Sequence, residues 1–197
     1  MYRALAPVFL WFAFAAVSSA QVPFSGNAFV GYSFNNTSFS EATSSANLNG
    51  WAASLDANVL PWGLGLVADF DGHYGPADFV APGTICTHAM ARAKLCSTLN
   101  ANAHVFDALF GPRIAASFHD GKYQFFPVTE FGLTNLNTDR AGSGTAFSVA
   151  VGTGFDARIS RVVAWRVEGD FVSNRLFGQY VGSLRISTGI VLRFRSH

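Results

Sequence analysis

Charge is what this sequence has least of. Asp, Glu, Lys and Arg make up 13% of its 197 residues, against about 25% in a soluble globular domain. Thirteen basic and twelve acidic residues leave a formal +1, and without Arg3 the two signs balance. A balanced chain has no basic face for phosphate, which excludes a nucleic-acid binder. Long apolar runs are also missing: beyond residue 20 no stretch of eighteen occurs, which excludes helical membrane spans. There is no glycine-rich phosphate loop, zinc motif or nucleophile elbow. Against these gaps, half of the residues are hydrophobic and twenty are Phe. That composition excludes a disordered chain, and in water it favours association. A soluble β protein with a large core and a membrane protein both remain open.

The first twenty residues have the order of a secretory leader. Met1-Tyr2-Arg3 carries one charge, Ala4 to Val17 is apolar, and Ser18-Ser19-Ala20 supplies small residues for cleavage after Ala20. As a helix the apolar run rises only about 21 Å, short of the roughly 30 Å core that an anchor must cross. The expected division is a signal peptide over 1–20 and one β-barrel domain over 21–197. If the exported chain enters a membrane without helical spans, it does so as a closed barrel, since only helices and closed barrels satisfy every backbone polar group there.

Eight segments alternate with period two: 26–34, 47–58, 64–74, 103–114, 122–134, 145–157, 162–172 and 182–194. In the third, Leu64, Leu66, Ala68, Phe70 and Tyr74 oppose Asp69, Asp71 and His73. In the seventh, Trp165, Val167 and Phe171 oppose Arg166, Glu168 and Asp170. Connections alternate long (35–46, 75–102, 135–144, 173–181) and short (59–63, 115–121, 158–161), the pattern of external loops and periplasmic turns. The short ones carry turn chemistry, Pro61-Trp62-Gly63 and Asp120-Gly121. Aromatics near strand ends (Tyr32, Phe34, Trp51, Trp62, Tyr74, Phe125, Trp165, Phe171, Phe194) suit interfacial girdles. Pro112 and Pro127 fall inside strands and each removes a ladder bond. The expected fold is all-β: an eight-stranded antiparallel up-and-down transmembrane β-barrel, with a soluble lipocalin-like barrel as the alternative.

Several stretches carry a family resemblance: Gly111-Pro112-Arg113, Phe126-Pro127-Val128-Thr129-Glu130, Ala146 to Asp156, Val163 to Phe171 and the closing Leu184 to Phe194. Together they resemble the small eight-stranded outer-membrane barrels of the OmpA-like, opacity-type porin family, as common in Acidobacteria. The resemblance implies an outer-membrane location and no reaction. It also implies that Phe194 closes an assembly signal read by the barrel-assembly machinery, with Arg195-Ser196-His197 extending past the usual stop.

By parity the lumen face holds Asp56, Asp69, Asp71, Asp107, Glu130, Asp156, Glu168 and Asp170 against Arg113, Arg166, Arg185 and Arg193. Arg113–Glu130 and Arg166–Asp156 are the expected ion pairs, either as lumen filling or as a gate. Eight strands leave an interior that side chains fill, which argues against a continuous pore. Cys86 and Cys96 are expected to form a disulfide in the longest loop; a metal site from Cys86, His88 and Cys96 is the rival. A lipid-modifying enzyme would draw on His73 and His104 near external strand ends, with Asp71 and one of many Ser, but no arrangement of them stands out. The leading expectation is a monomeric barrel that acts structurally or through its external loops, without catalysis or cofactor, its partners being outer-membrane lipid and an unnamed loop ligand. A narrow channel comes second and a lipid A or phospholipid enzyme third.

Overall fold

The computed structural model describes residues 25–39, 45–60, 62–81, 90, 96–176 and 179–195. The expected leader and Cys86, His88, Ser196 and His197 lie outside the described residues. Nine strand segments follow one another: β1 (Ser25–Thr37), β2 (Ala46–Asn58), β3 (Leu64–Val80), β4 (Thr98–Ile114), β5 (Ala116–Phe118), β6 (Tyr123–Thr138), β7 (Ser143–Arg158), β8 (Val163–Leu176) and β9 (Gln179–Arg195). All pairing is antiparallel, and β9 returns to β1. β5 continues β4 along β6 in one register, with Arg113 opposite Val128 and Ala116 opposite Phe125. The nine segments are therefore eight staves of a closed up-and-down barrel.

The register fixes the stagger. Partners lead once around the wall through Ala28, Leu55, Ala68, Phe110, Phe131, Val149, Ser173 and Gly182. The Ser38 N–H then meets the Gly182 carbonyl, ten residues above the start on β1. Strands so staggered tilt by about 40°. The turn that sets the β5–β6 register is Asp120-Gly121, with φ of 54° and 70°. Positive φ at both central residues is the hairpin geometry whose twist matches the strands.

The strands run further from the terminal rim, where Ser25 and Arg195 lie, than their alternation predicts. β3 reaches Val80 instead of residue 74, β4 starts at Thr98 instead of 103, and β8 extends to Leu176. Two connections expected to be long therefore contract to residues 139–142 and 177–178; those at 38–45 and 81–97 remain longer. The extra lengths are rich in Asn, Ser and Thr, a composition that reads as loop. Here those side chains bond across strands: Asn36 to Asn47 at 2.6 Å, Asn100 to Asp78 at 3.0 Å and Asn135 to Thr145 at 2.8 Å.

The two faces of the wall exchange character along the barrel axis. Over the terminal two-thirds the outward residues are apolar (Val30, Leu55, Phe70, Phe110, Phe131, Val151, Ile190 and Leu192 among them) and exposed. On β9 this outward series runs from Leu184 to Phe194. Ten steps at that tilt cover about 25 Å along the axis, the height of a transmembrane barrel's apolar band. Beyond it the outward face turns polar at Asn47, Asn100, Asn102, Asn135, Asn137 and Thr145. At the same level the inside gains an apolar cluster, interleaved with buried Asn35, Thr37 and Thr138. Leu48, Ala77, Phe79, Ala103, Val105, Leu136 and Val181 belong to one buried cluster there.

Trp62, Phe125, Trp165 and Phe194 stand outward at the terminal rim, all exposed. Tyr32, Trp51 and Tyr74 stand outward where the apolar belt gives way to polar wall, not at strand ends as expected, because the strands continue past them. Phe34 is half-buried and Phe171 outward within the belt. Both prolines are outward and exposed. Pro112 sits where the β4–β6 ladder is interrupted without a change of register, between Phe110–Phe131 and Arg113–Val128, as a residue without an N–H allows. At the closing seam a Cβ on Gly26 would lie 2.6 Å from the Phe194 ring. Glycine there lets the last aromatic of β9 lie flat across β1.

Candidate functional site

Beneath the apolar cluster the lumen is a polar column built on three arginines. Arg166 (β8) makes a two-pronged contact with its neighbour Asp156 (β7), Nε to Oδ1 at 2.7 Å and Nη2 to Oδ2 at 2.9 Å. It also spans the barrel to Asp56 (β2) at 3.2 Å. Arg113 (β4) reaches the same Asp56 at 2.6 Å, and Asn27 donates to that carboxylate at 2.5 Å. Both guanidinium groups lie over the Phe126 ring, 4.1 and 4.5 Å from its centre, a favourable cation–ring arrangement in a desolvated place. A Cβ on Gly154 would collide with that ring, so glycine on β7 makes room for it.

Further from the terminal rim, Arg185 (β9) sits among four acids. It approaches Asp69 at 2.6 Å, Asp170 at 3.0 Å and Glu130 at 3.6 Å, and forms a close ion pair with Asp71. Glu168 lies 3.9 Å from Arg166. Asp107 accepts from Thr134, which in turn accepts from Ser148 at 2.6 Å. The structure thus places eleven of the twelve lumen residues inside, all at most 8% exposed. Arg193 is the exception: half-buried at the terminal mouth, it joins none of these pairs.

One expected pair is corrected. Arg113 and Glu130 do not meet; the Arg113 guanidinium turns to Asp56 and Gln124 across Phe126, and Glu130 faces Arg185 instead. Sequence parity says which face a residue takes, but not which strand lies opposite at the same height. That depends on the stagger, so the cross-lumen contacts of Asp56 with both arginines were not visible in the sequence. Arg113, Arg166 and Arg185 are struts: each guanidinium joins strands that are not neighbours. Charges this deep stand only when paired.

The column has the side-chain types of a hydrolase but not the access. Ser33 Oγ is 2.9 Å from His73 Nε2, and His73 Nδ1 is 2.9 Å from Asp71 Oδ1. Those are the spacings of a nucleophile, base and acid. All three residues are 0% exposed, under the apolar cluster on one side and the arginine layers on the other. Asp71, His73 and Asp107 also bring three donor atoms within 4.8 Å of one another, in the same sealed space. His104 is outward and exposed, its ring edge-on to Tyr74 at 5.2 Å.

A closed eight-stranded antiparallel barrel with an outward apolar belt and a filled polar lumen is of the outer-membrane type. Solved structures share that fold. Neisserial surface protein A aligns over 87% of this chain and 97% of its own, with a TM-score of 0.55 at 13% identity. Ail, the attachment invasion locus protein of Yersinia pestis, solved with the heparin analogue sucrose octasulfate, aligns over 87% of this chain and all of its own, with a TM-score of 0.52 at 12% identity. No protein-family profile and no curated protein sequence matches the chain.

Proposed function

We propose that this chain is an exported outer-membrane barrel that is closed to solutes and works by presenting its far pole outside the cell. The exchange of faces carries the reading. A belt about 25 Å tall suits lipid. The polar-walled, apolar-cored segment beyond it is built like a soluble barrel and stands in water. In this orientation both termini are periplasmic and the connections at 38–45 and 81–97 are external. The signal peptide over 1–20, with Phe194 as part of the assembly signal, fits that route. Ail is named for attachment and invasion and the neisserial protein for the cell surface; both roles support a surface-contact function on this scaffold. Enzymatic action on lipid has no support, because the Ser33–His73–Asp71 group is sealed.

The experiment is extraction, folding and conductance on one sample. The barrel is expected to migrate differently on a gel before and after boiling, and to give no conductance steps in a planar bilayer. Unshifted migration contradicts a membrane barrel, and steady conductance contradicts closure. A second expectation concerns the external connection. Among the described residues there is no free cysteine, although Cys86 itself is not described. A Cys86–Cys96 disulfide would stabilise by about 2–3 kcal/mol in the chain-entropy account. Intact mass should show two alkyl groups after reduction and none before; alkylation without reduction would refute the pairing.

A further inference from the structure

We infer that the terminal rim binds anionic phospholipid headgroups along an arc of Lys122, Arg158, Arg161 and Arg193. The inference rests on the membrane reading and gives its lipid partner a headgroup chemistry and a place on the barrel. The arc is continuous through the backbone. The Arg158 N–H bonds the Lys122 carbonyl at 2.8 Å, the turn 159–162 carries Arg161, and the Arg193 N–H bonds the Val162 carbonyl at 2.9 Å. Lys122, Arg158 and Arg161 are exposed and Arg193 is half-buried. The acid in this arc is Asp120, and Arg158 Nη2 donates to its backbone carbonyl at 3.2 Å, which holds the guanidinium over the turn.

Charge distribution makes this arc significant. The chain is nearly neutral, yet the lumen encloses eight carboxylates with three guanidinium groups. Because so much of the acid is sealed inside, the exposed surface is left with a basic surplus, and among the described residues it collects at this rim. Among the described residues the far rim mixes signs instead, with Asp78, Asp139, Arg140 and Arg175. Aromatics place the basic arc at headgroup height. Lys122 lies 5.5 Å from the Tyr123 ring, Tyr123 stacks on Phe155 at 5.7 Å, and Trp165 stands outward beside them. Rings of this kind settle at the lipid–water boundary, and cations just beyond them meet phosphate. Each such cation raises affinity for an anionic surface about fivefold.

The test folds the protein in micelles, verifies the heat-modifiable band, and adds equal amounts of phosphatidylglycerol and phosphatidylcholine of the same acyl chains. Native mass spectrometry then counts the retained lipid. Phosphatidylglycerol is expected to be retained about tenfold over phosphatidylcholine. The preference should collapse in Arg158→Ser/Arg161→Ser and in high salt, and persist in Arg140→Ser at the far rim. Equal retention of both lipids by the folded protein, or a preference that survives the double substitution, overturns the inference. Absence of the heat-modifiable band overturns instead the membrane reading beneath it.

Discussion

Replacing Arg185 with Ala should cost about 3–5 kcal/mol of stability at neutral pH, the typical penalty for stranding buried charges. Arg185 is 1% exposed, as are Asp170 and, more deeply, Asp71 and Glu130. Its removal leaves Asp69, Asp71, Glu130 and Asp170 crowded together without a cation. Nothing nearby replaces it, because Arg113 and Arg166 are engaged with Asp56 and Asp156. The pH dependence has a definite sign. Acidification that neutralises the carboxylate cluster removes its mutual repulsion, so the variant regains stability relative to the wild type as pH falls. Urea unfolding of the refolded barrel, followed by tryptophan fluorescence at neutral and acidic pH, reads both effects. Asp69→Asn/Asp170→Asn added to Arg185→Ala should recover part of the loss. A neutral-pH cost below about 1 kcal/mol, as for an exposed pair, would show that Arg185 is not the strut described.

How much of this was legible in the sequence depends on which physical rule set each feature. Strand alternation is a local property, so the faces of Asp56 through Arg185 and the Asp120-Gly121 hairpin register could be read directly. The far ends of the strands could not. Asn100, Asn102, Asn135 and Asn137 obey the same alternation as Phe110 and Phe131, but with polar residues outward and small apolar ones inward. A reading tuned to apolar-outward strands assigns such stretches to loops. That misassignment concealed the apolar cluster around Leu48 and Leu136, on which the proposed closure of the lumen rests. Ion pairing failed for another reason. Arg113 and Glu130 are near neighbours across β4 and β6, yet the guanidinium turns past Phe126 toward Asp56 on β2, two strands away. Cross-lumen partners lie far apart in sequence, 110 residues for Arg166 and Asp56, and no local spacing records them.

The exchange of faces makes the same substitution costly at one height and harmless at another. Phe131 and Asn137 both point outward from β6, six residues apart, and both are exposed. Phe131 lies within the apolar belt, beside Phe110 and Val149. Arginine at that depth should cost about 2–4 kcal/mol. Asn137 lies beyond the belt, where arginine meets water and should cost about 0–1 kcal/mol. The most direct measurement is therefore the difference in unfolding free energy between Phe131→Arg and Asn137→Arg, both folded into phosphatidylcholine vesicles. A difference of at least about 2 kcal/mol against Phe131→Arg is the predicted result. Equal stability of the two variants would contradict a lipid-facing belt that ends below Asn137.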